Sequence, residues 1–557
     1  MPHRQAIHLT QNDTPKSFAG DFLASKHAFK EKLLTLSAAH MLESYRYAPE
    51  LDGLLMEAFQ LKWLSGQLDD ANQLGTTLIE KNSDNLAPRL LVAIMNVKNQ
   101  HYQDALGYIE PMLKTNEKIT NIHQLAAYLT AVWAHVGLHE DEKAKTILKQ
   151  LASSGVFTLP ADYYIGLIDD VEGHLPEAVQ HYQSLLQADI VSYRITRIAA
   201  NAFERHANKD LAIQMYQLFA KKGASENFSV EREIQRLQKG SLKAPSPVLT
   251  TPSQGLSSSL LEIVSALYSK GMLHESMAYS YLAKTLDPTH DEPKLMIGLI
   301  HQDQDLCQEA LEQFRDIPEA SGYYYPSAIN QARCLIKLNQ DFDATKLLLS
   351  LTVKYPQFST PHLVLGDFYF EKKDYNKAIE NYQSALKTMG SDTPIEQSWP
   401  VSYALAFSYQ KSNEWDKAFT ILTDLKKQLP DEPEILNFLG YSQVLRNQNL
   451  DEALAMISKA LQAKPNDAHI IDSMGWALYT LKRYDDALPY LERAIEITPD
   501  DPVLLDHLAS IYDALGRKHE ALYKWRQALE LKPEKEDEDT IKKHLNQPDI
   551  KALEDHS

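Results

Sequence analysis

Catalysis and metal binding draw on a few residue types at set spacings, and here those residues are scattered. The chain holds 20 histidines, yet none falls in an HExxH pair. Nor is there a GxSxG elbow, a glycine-rich phosphate loop ending in Lys-Ser or Lys-Thr, or an EF-hand loop. Cys307 and Cys334 lie 27 residues apart with no CxxC and no histidine pair beside them. That spacing suggests neither a zinc site nor a redox motif, and both cysteines read as small packing residues inside helices. The acidic GLHEDEK stretch around His139 reads as a solvated turn. No segment outside the helical pattern is long enough to fold as a catalytic domain. The sequence therefore predicts no enzyme, no catalytic residue, no metal and no cofactor.

Composition narrows the partners. Hydrophobic residues make up 44% and charged residues 24%, the balance of an ordinary folded chain. At 557 residues one compact core is not expected, so several domains or a repeat array is. The formal charge of −19 repels phosphate backbones and no basic stretch offsets it, which argues against nucleic acid. The opening MPHRQAIHLTQNDTPKSFAG has no apolar run of signal-peptide length and no lipid-bearing cysteine. No stretch reaches the ~18–20 apolar residues of a membrane span. As written, the expectation is a cytoplasmic chain. A start lying further upstream would instead allow periplasmic or outer-membrane association.

The elements that position side chains come from an internal repeat. A small residue opens the second helix of each copy: Ser276, Ala310, Ala344, Ala378, Ala418, Ala453, Ala487 and Ala521. Upstream the same ruler runs through Ser37, Ala71, Ala105, Ala144, Ala178 and Ala212. Most gaps are 34 residues, with 40 between Ala378 and Ala418 and 39 between Ala105 and Ala144. Gly166, Gly298, Gly366, Gly440 and Gly475 fall midway along the first helix. A glycine there costs ~1 kcal/mol against alanine, which close approach of the paired helix would offset. Tyr182, Tyr216, Phe314 and Tyr382 stand four residues after the ruler, and Pro288, Pro356, Pro430, Pro465, Pro499 and Pro533 twelve after it. The first set fills the core one turn on, and the second stops the second helix. Gly66, Gly137, Gly173, Gly271 and Gly516 serve the turn between the two helices.

This 34-residue pattern resembles the tetratricopeptide repeat from about residue 18 to 533. The resemblance implies an all-α solenoid of about 14 helix-turn-helix repeats. The expected organisation begins with a polar segment over 1–17. About six repeats follow over 18–221, with an insertion near Leu151 to Pro160. A possible capping helix and a Ser/Pro-rich linker occupy 222–259, dividing two arms. About eight repeats fill 260–533. An acidic cap and tail over 534–557 begins with a solvated helix start at Glu534 to Asp539.

The resemblance also implies function: non-catalytic binding of partner peptides or helices on the concave surface lined by first helices. Its inward positions are Leu363, Asp367 and Phe370, then Tyr403, Phe407 and Gln410, then Phe438 and Ser442. Asp472, Trp476 and Tyr479 follow, and then Asp506, Ser510 and Asp513. Aromatic rings there supply binding energy, and carboxylates favour a basic or polar segment. Trp476 and Phe407 serve equally well as packing against the adjacent repeat. The subclass that grips a C-terminal carboxylate uses Lys, Asn and Arg at these positions. Here they hold Leu363 and Asp367, Tyr403 and Phe407, or Asp472 and Trp476, so recognition of chaperone C-termini is not expected. From about Leu436 to Pro533 the motifs NFLGYS, LDEAL, DSMGWALYTLKRYDDALPYLERAIE and DHLASIYDALGRKHEALYKWRQALEL resemble large tetratricopeptide proteins of Gram-negative bacteria. One group of these is a cell-envelope adaptor that holds a processing protease and delivers cell-wall hydrolases to it. That role is the alternative to a general scaffold, and a repeat-borne enzyme is the third reading.

Overall fold

The computed structural model describes residues 17–81, 84–113, 119, 121–153, 161–187, 192–221, 228–240, 245–548 and 550–551. Residues 1–16 of the polar start over 1–17, 154–160 of the insertion near Leu151 to Pro160, and 222–227 and 241–244 of the expected cap and linker lie outside the described residues. Among those residues the chain is helical throughout, with no strand. It divides into two compact units at Tyr355 and Pro356.

The first unit opens with six hairpins. They are α1 (Phe18–Lys30) with α2 (Leu34–Tyr47), α3 (Asp52–Leu64) with α4 (Leu68–Glu80), and α5 (Leu86–Lys98) with α6 (Tyr102–Ile109). Then come α7 (Ile122–Gly137) with α8 (Asp141–Ser153), α9 (Ala161–Glu172) with α10 (Leu175–Tyr182), and α11 (Tyr193–Arg205) with α12 (Lys209–Lys221). A single helix, α13 (Phe228–Lys239), packs on α12. Three more hairpins complete the unit. These are α14 (Pro252–Ser269) with α15 (Leu273–Leu286), α16 (Glu292–Asp303) with α17 (Cys307–Arg315), and α18 (Tyr324–Lys337) with α19 (Asp341–Lys354).

The second unit has five hairpins and a terminal helix. They are α20 (Thr360–Glu371) with α21 (Tyr375–Met389), α22 (Ile395–Lys411) with α23 (Trp415–Gln428), and α24 (Pro433–Leu445) with α25 (Leu450–Ala463). Next are α26 (Ala468–Thr480) with α27 (Tyr484–Ile497) and α28 (Pro502–Ala514) with α29 (Lys518–Glu530). The last is α30 (Lys535–Leu545).

The repeat signature maps onto this architecture directly. A Cβ on Gly298 would lie 2.4 Å from the Phe314 ring, and one on Gly366 2.6 Å from the Tyr382 ring. Only glycine lets those aromatic rings close against the first helix, so the glycine and the aromatic residue after the ruler are two halves of one contact. At the turn Gly516 adopts φ +76, and its amide and that of Arg517 donate to the carbonyls of Asp513 and Tyr512 at 2.9 and 2.8 Å. These bonds satisfy carbonyls left open at the helix end. Asn339, Asn413 and Asn447 take the same left-handed position in other repeats. Gly137, expected in a turn, instead ends α7 against the Tyr102 ring, and His139 carries the positive φ. Cys307 and Cys334 are buried thiols in α17 and α18.

The expected linker is where sequence and structure part. Helix α14 begins at Pro252, eight residues before the expected start of the second arm at 260, with the Thr251 hydroxyl capping the Gln254 amide. Its Gly255, Ser257, Ser258 and Ser259 are buried. With α15 it packs against α3, α5, α7 and α9, the first helices of the earlier hairpins. The small residues are there because the contact is tight: a Cβ on Gly255 would stand 2.1 Å from the Trp133 ring. Trp133 Nε1 donates to Ser259 Oγ at 2.9 Å, and Trp63 Nε1 donates to the Ala278 carbonyl at 3.1 Å. Buried Arg194 of α11 donates to the Ser258 carbonyl and pairs with Glu262 at 2.5 Å and Glu292 at 2.9 Å. The hairpin expected to open a second arm therefore fills the first-helix face of the first, and the division falls at residue 355 instead.

Candidate functional site

The expected binding positions all lie in the second unit, on α20, α22, α24, α26 and α28. Spacings of three and four residues put them on one face of each helix, and helix pairing then decides which of them meet.

One group is a chain of rings. Phe370 stacks on Phe407 with centroids 5.3 Å apart, and Phe407 meets Phe438 edge-on at 5.5 Å. Tyr403 meets Phe438 at 5.3 Å, and Trp399 extends the row at 6.1 Å from Tyr403. Tyr375 closes the other end at 5.5 Å from Phe370. Leu363 packs against the same cluster. Phe438 is 6% exposed and anchored, whereas Phe370, Tyr403 and Phe407 are half-buried. Packing and presentation are therefore both served. Such ring pairs contribute about 0.5–1.5 kcal/mol each beyond area burial.

A second group centres on Trp476. Its indole stacks with Tyr479 at 4.6 Å and with His507 at 3.9 Å. His507 Nδ1 lies 2.8 Å from Asp472 Oδ1, both side chains being buried. Burial opposes charge on this imidazole, but Asp472 outweighs it and leaves the pKa raised above 6.5. Asp506 Oδ1 accepts from Trp525 Nε1 at 2.7 Å and lies 3.0 Å from His544 Nδ1. Asp513 accepts from Lys518 at 3.2 Å, and Asp367 accepts from the Tyr382 hydroxyl at 2.8 Å.

The remaining polar positions are partly or wholly buried. Ser442 is 4% exposed, its Oγ has no hydrogen-bond partner, and it faces Trp415, Ala418 and Leu422 of the preceding second helix. Ser510 is buried, and Gln410 is half-buried with Oε1 unpartnered. Several residues of the face were not anticipated. Trp399 comes from the extra residues between Ala378 and Ala418, so the long 40-residue gap was its signal. His507 stands 35 residues after Asp472, one beyond the 34-residue period, a pairing that no motif marks.

The helix α30 adds a strap. Glu534, just before it, pairs with Lys373 in the turn between α20 and α21 at 2.9 Å. The helix starts at Lys535, inside the acidic run Glu534 to Asp539, and Lys373 engages the head of that run. Burial, then Asp472, Asp537 and Asp506, hold the Tyr441 hydroxyl well above the usual phenol range.

Among the described residues no group of three or more His, Cys, Asp or Glu is placed to hold a metal, and no helix is long and apolar enough to cross a membrane. Family models described as tetratricopeptide repeats match residues 361–388, 401–432 and 444–511. A TPR repeat-containing protein of Pseudomonas aeruginosa is 25% identical over 190 residues, covering 34% of this chain and 31% of that protein. Tetratricopeptide repeat protein 21A of Homo sapiens is 21% identical over 434 residues, 74% of this chain and 31% of its own length. The matches thus span under a third of either curated relative. Among solved structures, the Cut9–Hcn1 hetero-tetramer of APC/C is 14% identical with a TM-score of 0.39, covering 96% of this chain and 97% of that one. Yeast Tom70 is 13% identical with a TM-score of 0.34, covering 97% and 99%. Family models thus find tetratricopeptide repeats within residues 361–511, and the 34-residue helical hairpins make the chain similar to tetratricopeptide-repeat proteins such as that of the Gram-negative Pseudomonas.

Proposed function

We propose that the protein is a non-catalytic interaction scaffold whose second unit holds segments of partner proteins on its first-helix face. The observation that carries this reading is the row Phe370, Phe407, Phe438 and Tyr403, anchored by one buried ring with the others half-buried. Rigid aromatic anchors beside polar groups are what binding hot spots are made of. In the first unit the corresponding face is covered by α14 and α15, which leaves the second unit to receive a guest. The other inward positions, Asp367, Asp472, Asp506 and Asp513, frame the rings with carboxylates.

The resemblance to large tetratricopeptide proteins of Gram-negative bacteria suggests one specialised form, a cell-envelope adaptor that recruits a protease or cell-wall hydrolase. The test of both is affinity capture with the tagged full chain against Tyr403→Ala combined with Trp476→Ala. Two aromatic anchors lost cost about 2 kcal/mol or more in binding, over tenfold in affinity. Partners captured by the wild type and lost by the variant, at unchanged helical content, are the expected result. Equal capture by both would remove the second unit's face as the site. An envelope protease or hydrolase among the lost partners selects the adaptor form, and its absence rejects that form.

A further inference from the structure

The outer face of one helix in the first unit breaks the grammar of the repeat. Counted from the ruler residue, the positions two before, five after and nine after share one side of the second helix. On α21 they hold Asn376, Gln383 and Lys387, and on α23 Asp416, Thr423 and Lys427. On α19 they hold Phe342, Leu349 and Val353, which are 77%, 51% and 82% exposed. The inner face of the same helix, Ala344, Leu348 and Leu351, is buried in the hairpin with α18, so the outer three residues add nothing to that contact. They expose on the order of 350 Å² of apolar surface in one stripe, within the size range of patches that serve as interaction sites.

The stripe is symmetric along its length. Lys346 is exposed in the same line, and the positions then run 342, 346, 349 and 353. Spacings of four, three and four are those of a helix–helix seam, in which a lysine lays its methylene stem on apolar neighbours. The order of spacings is the same in both directions. A copy of α19 laid antiparallel on the stripe therefore meets it in register, Phe342 against Val353 of the second copy and Lys346 against Leu349 of the second copy. The ends match as well. The first turn of α19 is acidic, with Asp341 and Asp343, and the last turn is basic, with Lys354. Lys354 is steadied by Glu319 and lies 5.3 Å from the centre of the Tyr324 ring. Antiparallel pairing sets acid beside base at both ends and opposes the two helix dipoles, whereas a parallel pair would set like charges together.

We propose that the outer face of α19 is a self-association surface, on which a second copy of this chain packs its own α19 antiparallel about a two-fold axis. The contact is isologous, so one stripe supplies both sides. Stripe and flanks come to about 600 Å² per copy, and two copies reach the lower edge of specific interfaces at about 1,200 Å². The dimer is accordingly reversible, in the micromolar range or weaker. The surface belongs to the first unit, so its failure would leave the reading of the second unit untouched.

Sedimentation velocity of the full chain from about 1 to about 200 μM tests the surface, in about 0.15 M salt so that repulsion between chains of charge −19 is screened. The average mass is expected to climb from one chain towards two. Phe342→Asn with Val353→Gln installs residue types that Asn376 and Gln462 already supply at these positions of other repeats. Helical content should therefore hold while the dimer weakens about tenfold or more. Tyr523→Gln, at another exposed ring on α29, should leave association unchanged. Orientation is read with a short bis-maleimide, the native Cys307 and Cys334 being buried. A mixture of Phe342→Cys and Val353→Cys chains should be linked, and neither variant alone. Linkage within either variant alone overturns the antiparallel pairing. A monomer at every concentration overturns the surface, as does a dimer indifferent to Phe342→Asn with Val353→Gln or equally weakened by Tyr523→Gln. A monomeric wild type that captures a different protein through Phe342 and Val353 gives the stripe to that protein and overturns self-association.

Discussion

The two units present the same row of first helices and treat it in opposite ways. In the first unit Trp63, Trp133, His123 and Arg194 all find partners on α14 and α15, 64 to 215 residues away in sequence. In the second unit the rings of α20, α22 and α24 mostly touch one another, and the strap ahead of α30 reaches across to the turn after α20. Repeat grammar builds the row; what fills it depends on whether the chain itself supplies a helix slim enough to enter. The Gly255 to Ser259 stretch of α14 is such a helix.

The largest test of this contrast is Arg194→Met. The guanidinium is buried between Glu262 and Glu292 and also donates to Ser258. Removing it leaves two carboxylates without their cation inside the unit, which costs about 3–5 kcal/mol. Urea unfolding followed by hydrogen exchange should show α14 and α11 losing protection while α26 keeps it. Equal loss in α26 would show that the units unfold together, and the comparison would then hold for geometry but not for stability.

Gly255→Ala probes the same clasp more gently. Its new methyl would overlap the Trp133 ring, which is 1% exposed and has little room to retreat. Overpacking of that kind costs about 1–3 kcal/mol. Pairing it with Trp133→Phe should recover part of the loss, because contacting residues are not additive. A full additive loss in the double variant would place the strain elsewhere.

Titration separates the units by sign. His301 of the first unit is pushed down to about 4 by burial, and its Nδ1 has no hydrogen-bond partner. Its folded pKa lies below the ordinary 6.5, so the unfolded state takes the proton first and stability falls as pH drops from 6.5 towards about 4. His507 of the second unit has a raised pKa because Asp472 outweighs burial. Its contribution is fully present below 6.5 and is lost as pH rises through the raised value. Urea unfolding at about pH 5 and about pH 8 should therefore show His301→Gln gaining on the wild type in acid, and His507→Gln losing most in acid. Each difference is expected near 1–2 kcal/mol. Parallel slopes for the two variants would defeat the assignment.

Much of this architecture is legible from spacing because the repeat is enforced by contacts within one hairpin. Gly366 and Tyr382 stand sixteen residues apart and meet, so period and contact are the same information. The fate of α14 is not legible that way. PSQGLSSS has the composition of a linker, and partners far away in sequence, Trp133 and Arg194 among them, explain why its residues are small. At the candidate site, helical spacing selects Phe370, Tyr403, Phe407 and Phe438 and the rings do meet. Spacing does not reveal that Ser442 turns towards α23, because the rotation of a helix against its neighbour is set by packing across repeats. Nor does it reveal that His507 pairs with Asp472 or that Glu534 reaches Lys373, since both join elements far apart in sequence.

The strap yields the smallest effect and the finest distinction. Lys373 and Glu534 are 55% and 57% exposed, and exposed ion pairs contribute about 0–1 kcal/mol, less in salt. Lys373→Ala should therefore leave global unfolding essentially unchanged while amides at the start of α30 exchange faster at low salt. That pattern would make the strap a local, screenable tether over an otherwise open face. A clear global loss, persisting in high salt, would mean that α30 holds the second unit closed as firmly as α14 fills the first, and the contrast between the two faces would become one of degree.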